Sequence, residues 1–568
     1  MKVEPNHAES LLVHFRRAEE LRARATTYPS LDLNRRQLCD LELLLNRAYY
    51  PLTGYLGRED YQSVLETMRL ADGTLWPLPV CLDLPGEVAR TLGPGDNLAL
   101  RDGEGFLLAV LTVQEVWRAD RAAEARALLG TDDPARHPGV RPLVEEVYPW
   151  YVSGAVEGIS LPVHYDFRPL RLTPAQAHRR FAEAGWRRVI AYHAERPLFR
   201  AELEATQAAA RQAGAHIFLH PAVVARDPGD LYHYTRVRCY QRALAHYPKG
   251  LALLGILPLL PRGAGPREAL WQALIRKNFG CTHFMVAEDQ GDPLAGRDSP
   301  QRIYPLNAAY ELLAQHAEEA GITPVHLEPM AYVEDKAQYL PLSRVEPWMQ
   351  VKSLSFPELR RRLEHDLALP EWFAPPDIVE ELRRAWPPRS RQGFTIFLTG
   401  LPGAGKSTLA KVLVTKFMEM RGRPVTLLDG DIVRKNLSSE LGFSPEHRHL
   451  NVVRIGFVAS EITKNGGIAV CAPIAPYERS RRQVREMISA VGGYIEVYVS
   501  TPLAVCEERD RKGMYAKARA GLIKGYTGVD DPYEPPARPE LEIDTSDITP
   551  EEAAQEVLLY LAEQGYLR

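Results

Sequence analysis

The residues most clearly arranged for chemistry in this 568-residue chain are GLPGAGKST, Gly400–Thr408. The pattern Gly-x-x-x-x-Gly-Lys-Ser follows an apolar run, Phe394–Gly400, and precedes a stretch with helical periodicity, Leu409–Met420. A strand, a glycine-rich loop and a helix in that order build a phosphate cradle. The loop of Gly400, Leu401, Pro402, Gly403, Ala404 and Gly405 would wrap the phosphates, every residue but the proline turning a backbone N–H towards their oxygens, and the helix N-terminus adds its dipole. Lys406 would reach the β- and γ-phosphates and Ser407 would ligate Mg²⁺, with Thr408 completing the cradle. The chemistry implied is phosphoryl transfer from Mg-ATP.

A second apolar stretch, Pro424–Leu428, ends in two carboxylates, Asp429 and Asp431. At the carboxyl end of a strand beside the cradle, one carboxylate can accept the proton of an acceptor hydroxyl while the other orients the metal's water. Asp431 is the expected base and Asp429 the metal-shell group. Taken alone, Asp431 also reads as the N-cap of a helix beginning near Ile432, but that leaves Asp429 unexplained. The cradle identifies a nucleotide and leaves the acceptor open.

The elements that must position these groups belong to one of several domains, since 568 residues exceed a single hydrophobic core. Near the N-terminus, Asn97–Arg101, the turn Asp102–Gly105 and Phe106–Val116 predict a β-hairpin. From about Leu170 to Tyr332 the pattern becomes strand and helix in alternation: Arg188–Tyr192 extended, Phe199–Gln212 helical, His216–Val224 extended. That order predicts an α/β domain with a parallel sheet. WPPRSRQG, Trp386–Gly393, reads as a linker. The expected boundaries are 1–168, 169–331, 332–388 and 389–568.

With 45% hydrophobic and 25% charged residues and a net charge of -4, the chain has no overall basic field for nucleic acid or an anionic membrane. Its longest apolar run, Leu251–Leu260, is about half of a membrane span. Its six cysteines form no Cys-x-x-Cys pair. These features predict a cytoplasmic protein with reduced thiols.

Over Gly393–Arg568 the chain resembles the adenylylsulfate (APS) kinase family. The motifs that carry the likeness are GLPGAGKST, DGDIVRKNL (Asp429–Leu437), LGFSPEHRHLNVVRIG (Leu441–Gly456), IAVCAPIAPYERSRR (Ile468–Arg482) and KARAGLIKGYTGVDDPYEPP (Lys517–Pro536). The resemblance implies that Arg434, Arg448 and Asn451 hold the phosphosulfate and ribose of APS. A doubly anionic mixed anhydride suits planar, bidentate arginine donors. It implies further that Phe443 and Tyr526 sandwich the adenine with Ile474 lining the same pocket. Arg509, Lys512 and Arg519 would lie in a lid over ATP. Ala475 stands where the family commonly has serine, and Tyr526 where it usually has phenylalanine.

The segment up to about Ala385 resembles ATP sulfurylase through PLTGYLGREDY, LADGTLWPLPVCLD, LHPAVV, AGPREALWQALIRKNFGCTHFMV and YVEDKAQYLP. This implies a β-rich PUA-like domain, a Rossmann-like nucleotidyl-transferase domain and a small third domain, in a chain that forms dimers or hexamers. The chemical motifs depart from the family. Where it reads Q-T-R-N-P-x-H-R-A-H, this chain has His193, Glu195 and Arg196 for Gln, Arg and Asn, and Phe199 and Glu202 for the two histidines. Where it reads G-R-D-H-A-G, Glu288 replaces the arginine and Gln290 the histidine. A sulfurylase must hold sulfate beside a triphosphate, so carboxylates in place of cations oppose its chemistry. The expectation is an APS kinase carried on a sulfurylase-like scaffold that has lost its own activity. The alternatives are a bifunctional enzyme, a PAPS-sensing regulator, and a P-loop kinase for another hydroxylated metabolite.

Overall fold

The computed structural model describes residues 10–225, 231–294, 302–420 and 422–567, with the side chains of Leu231 and Asp431 outside that description. The chain forms two compact units, Met1–Glu358 with Leu369–Ala385, and Leu359–Ala368 with Trp386–Arg568.

The N-terminal unit opens with a mixed sheet of β1 (Ser30–Asp32), β2 (Gly54–Tyr55), β3 (Leu82–Leu84), β4 (Asn97–Arg101), β5 (Leu107–Arg118) and β6 (Trp150–Gly158). Its order is β1-β4-β5-β6-β2, with β3 also on β6. β4 and β5 form the expected hairpin. The Asp102 carboxylate accepts the N–H groups of Glu104 and Phe106 at 3.0 and 2.8 Å, and Gly105 takes φ 87° to close the turn.

A parallel five-stranded sheet follows: β7 (Val189–Tyr192), β8 (His216–Leu219), β9 (Ala252–Leu254), β10 (His283–Val286) and β11 (Thr323–His326), in the order β11-β10-β7-β8-β9. β8 stops at Leu219, short of the expected Val224, because Pro221 has no N–H to give a neighbouring strand. Since β7 pairs with both β8 and β10, the crevice where the order reverses opens at the carboxyl ends of β7 and β10. A small antiparallel sheet of β12 (Met330–Val333), β13 (Gln338–Pro341) and β14 (Val351–Lys352) completes the unit.

The C-terminal unit is doubly wound. Its strands, β15 (Phe394–Thr399), β16 (Val425–Asp429), β17 (Ile468–Ala472), β18 (Gly493–Val499) and β19 (Leu541–Ile543), run parallel in the order β16-β17-β15-β18-β19. Every residue of β15 is buried because both faces are covered. Phe394, Ile396 and Leu398 pack with Leu413, Phe417 and Leu561 of the helices Lys406–Met420 and Pro550–Glu563. Phe397 faces the other way, towards Ile455 and Val484 of the helices Pro445–Lys464 and Glu478–Ser489. These layers fix the loop after β15 between two rigid faces. Among the described residues, no helix is long and apolar enough to cross a membrane and no His/Cys/Asp/Glu group could hold a metal ion on its own. All six cysteines are buried and unpaired.

Candidate active site

The loop Gly400–Gly405 joins β15 to the helix Lys406–Met420, which begins three residues earlier than its apolar periodicity shows. Gly400, Gly403 and Gly405 take φ of 149°, 81° and 98°. A Cβ on Gly400 would lie 2.4 Å from the Val499 carbonyl oxygen, and one on Gly403 3.0 Å from that of Cys506. The bends therefore require glycine, and the backbone is left bare for a phosphate. Lys406 is buried and folds back on this loop, donating to the carbonyls of Gly400 and Leu401 at 2.8 and 2.7 Å. Burial pulls its ammonium down to about 8, against a smaller upward pull from Cys506 and Asp429. Ser407 and Thr408 are exposed at the same helix end.

The loop is braced from below by groups the sequence reading missed. Thr501 and Thr545 both donate to the Ala404 carbonyl, at 3.2 and 3.0 Å, and Tyr515 donates to that of Pro402 at 2.8 Å. Arg509, expected near ATP, donates to the hydroxyl and carbonyl of Thr545 at 2.8 and 2.6 Å. Arg519 donates through Nε to Glu507 at 3.2 Å, and Lys512 lies exposed in the turn between the helices Leu503–Arg509 and Met514–Arg519. A threonine at the carboxyl end of each of two adjacent parallel strands was the available signal for Thr501 and Thr545.

Asp429 is the last residue of β16 and its charge reaches Lys406. The helix starts at Gly430, so Asp431 sits inside its first turn, not ahead of it, and the N-cap reading of Asp431 does not hold. Beyond it, Arg434 stacks its guanidinium 4.1 Å above the ring of Phe443, which is 68% exposed, and donates to the carbonyls of Leu441 and Gly442. Asn451 lies one helical turn after Arg448. It is buried, and its Oδ1 has no hydrogen-bond partner among the described residues. Arg448 is engaged by Phe443, Gly525, Thr527 and Asp531, whereas the sequence reading left it open to substrate.

Ile474 is half-buried, and its carbonyl accepts from Thr399 Oγ1 at 2.8 Å. Ala475 takes φ 47°, and its carbonyl accepts from the buried Arg481 at 2.7 Å. The loop is thus fixed through its backbone, which explains why the missing serine hydroxyl leaves it intact. Tyr526 meets Tyr515 edge-on at 5.1 Å.

In the N-terminal unit the two altered motifs follow β7 and β10 directly, at the crevice. His193 is buried, and its Nδ1 faces Arg276 Nη2 at 3.1 Å and the Ala222 N–H at 3.4 Å. A nitrogen facing two donors must be the acceptor, so Nε2 carries the proton. Burial, then Arg276 and Arg236, keep the ring neutral. Glu195 lies at the mouth with 46% of its side chain exposed. Desolvation, then the charges of Glu268 and Asp289, push its carboxyl up to about 7, while Arg196 and Arg236 act against that rise. Arg196 is exposed and Glu288 half-buried.

Glu202 has been given a different task. Its carboxylate accepts the Phe199 N–H at 3.1 Å, closing the first turn of the helix Arg200–Ala213, and the Phe199 ring packs 4.6 Å from Phe373. Gln290 is buried against Gln272 at 3.4 Å. Arg276, in a stretch read as scaffold, is the buried cation behind the crevice and also donates to the His220 carbonyl at 2.8 Å.

Three family models match: PUA-like domain over 5–161, ATP-sulfurylase over 168–385 and Adenylylsulphate kinase over 392–544. A curated relative from Mycosarcoma maydis, Sulfate adenylyltransferase, is 45% identical over 557 residues, covering 97% of this chain and 96% of its own. A protein of the same name from Coccidioides immitis (strain RS) is 44% identical with the same coverage. Among solved structures, "Hexameric APS kinase from Thiobacillus denitrificans" is 40% identical, covers 98% of both chains and superposes with a TM-score of 0.80.

Proposed function

The chain belongs to the ATP sulfurylase/APS kinase family, and from that premise we propose that it transfers the γ-phosphoryl of Mg-ATP to the 3′-hydroxyl of APS, giving PAPS and ADP. The observation that supports this most is the seating of Lys406 in a loop that admits no side chain at its bends, with Asp429 bearing on it from the next-but-one strand. Lys406 would exchange its two carbonyl partners for β- and γ-phosphate oxygens. Asp431, in the first turn of the neighbouring helix, would take the hydroxyl proton as the oxygen attacks in line. Arg434 and Asn451 would orient the acceptor between Phe443 and Tyr526. Ser407 and Asp429 are hard oxygen donors of the kind Mg²⁺ takes, and the ion when bound would neutralise charge on the transferring phosphoryl.

We propose further that the sulfurylase-like domain does not turn over sulfate. What supports this is the crevice itself: Glu195 at the mouth under the repulsion of Glu268 and Asp289, a neutral His193, and a Glu202 committed to a helix end. Sulfate and a triphosphate both need donors there. The curated relatives carry a sulfurylase name, so a paired assay on the full-length protein is decisive. ATP with APS should yield PAPS; ATP with sulfate should release pyrophosphate at least about 100-fold more slowly, the cost of one lost anion donor. Comparable rates would make the enzyme bifunctional. The hexameric relative supports an oligomer, which on our reading is built through the sulfurylase-like region. Light scattering of full-length protein against a chain cut at Ser390 would test that, and a monomeric full-length protein would overturn it.

A further inference from the structure

A hydrogen-bonded path runs from the segment that carries Tyr526 to the root of the phosphate loop. Thr399, the last residue of β15, is fully buried, and its Oγ1 donates to the Ile474 carbonyl at 2.8 Å, with that of Ala475 farther off at 3.3 Å. A threonine hydroxyl has a single hydrogen. With that hydrogen given to the carbonyls, the 2.9 Å contact between Thr399 Oγ1 and Tyr533 Oη has the phenol as its donor. Burial pushes the Tyr533 phenol up, which keeps its proton in place. The Gly400 N–H also meets the Ile474 carbonyl, at 3.4 Å, and the Gly400 carbonyl accepts from Lys406 Nζ at 2.8 Å. Tyr533 is thereby linked, through Thr399, to the residue on which the phosphate-loop lysine rests.

The ring of Tyr533 is held apart from its hydroxyl. It stacks on Tyr498 of β18 with centroids 5.9 Å apart and lies 5.8 Å from the guanidinium of Arg481. Arg481 is buried and donates to the carbonyls of Ala475 and Glu534 at 2.7 Å each. The Glu534 N–H donates to the Pro476 carbonyl at 2.9 Å, and the Glu534 carboxylate accepts the Glu478 N–H at 2.7 Å. Residues 533–534 are therefore pinned to the loop 474–478, and Tyr533 Oη carries that attachment on to β15. On the other side, the N–H groups of Asp530 and Asp531 both donate to the Tyr526 carbonyl at 3.2 Å. That closed turn leads through Pro532, whose ring fixes its φ, straight into Tyr533.

We propose that Tyr533 is a positioning residue, whose hydroxyl holds the acceptor-side segment in register with the phosphate loop through Thr399. In-line transfer needs the acceptor oxygen aligned on the γ-phosphorus, and a misplacement of about 1 Å can cost about 10²-fold in rate. The effect of the hydroxyl therefore falls on the transfer step more than on the affinity for either substrate. This deepens the kinase reading above and rests on it for the identity of the acceptor.

Tyr533→Phe keeps the ring and removes the hydroxyl. In the full-length protein it should slow the single-turnover rate of PAPS formation about tenfold, with ATP saturating and enzyme in saturating excess over APS. KM for ATP and for APS should stay within about threefold. A single-turnover rate constant does not depend on how much of the enzyme is folded, so a loss of stability alone would leave it unmoved. Thr399→Val removes the other end of the contact, and adding Tyr533→Phe to it should slow transfer by no more than about twofold further. A transfer rate in Tyr533→Phe within about twofold of the parent's, additive losses in the double variant, or a raised KM for APS with an unchanged transfer rate would each overturn the proposal. Amide hydrogen exchange in the nucleotide-free protein supplies a readout independent of turnover. The Glu534 N–H should exchange about fivefold faster in Tyr533→Phe, and unchanged exchange would also overturn the anchor. Should the parent protein fail to phosphorylate APS, the functional reading falls, and the exchange data alone decide whether the hydroxyl anchors the segment.

Discussion

At the carboxyl end of β15 the chain presents a loop stripped of side chains at its bends, one buried lysine seated on it, and Asp429 at the end of the next-but-one strand. At the carboxyl ends of β7 and β10, a crevice of the same topological kind presents Glu195 at its mouth, Glu268 and Asp289 within electrostatic reach, and the buried Arg276 turned onto His193. Both are switch points of parallel sheets, where anions commonly bind. The difference teaches that the sheet supplies the place, while a few side chains set the charge that an incoming anion would meet.

The sharpest way to break that contrast is to remove the lysine. Lys406→Ala should lower transfer to APS by about 10³-fold with the fold retained, since a preorganised donor to the developing charge is lost. Activity within tenfold of the parent, measured by PAPS formation beside an unchanged circular dichroism spectrum, would contradict the assignment. The same lysine predicts a pH signature. Its nucleotide-free pKa is lowered to about 8, and phosphates will raise it, so ATP binding takes up a proton once the pH exceeds 8. ATP affinity should fall about fivefold from pH 8 to pH 9, with proton uptake visible by calorimetry in two buffers of different ionisation enthalpy.

The crevice should answer with the opposite element. Glu195, raised to about 7, is ionised above that pH and neutral below it, so a repulsion present at pH 8 fades by pH 6. In a Lys406→Ala background, pyrophosphate binding should tighten about threefold over that interval relative to the Glu195→Gln variant, a comparison in which the protonation of pyrophosphate itself cancels. The smallest effect concerns the helix behind it. Glu202→Ala should cost about 1 kcal/mol through the lost contact with the Phe199 N–H, whereas Glu202→Gln, which keeps an oxygen acceptor, should cost less; thermal unfolding would rank them.

The parallel sheets were legible because the runs Val189–Tyr192 and Phe394–Thr399 are apolar without alternation and are followed by helices. The phosphate loop was legible because glycine spacing is itself the geometry. The bracing of that loop was not. Thr501 and Thr545 lie far from it in sequence, and a threonine at a strand end looks the same whether or not a carbonyl waits opposite. Arg448 and Arg509 illustrate the limit in another way: the family likeness implied a ligand for each, while the backbone groups they hold in this structure are set by tertiary contacts that no local pattern shows. Glu202 could be read as an intruding acid from its type alone, and its partner three residues back was close enough to have been foreseen.

That partner makes the exchange hard to undo. The family likeness places a histidine where Glu202 stands, and a chain reverting to it would surrender the oxygen that now secures the beginning of the helix Arg200–Ala213. If the proposed loss of sulfate turnover holds, regaining it would require several cations to return together, while restoring this one residue would bring no catalysis and weaken the fold. On that proposal the position behaves as a ratchet, taken over by the architecture and then defended by it.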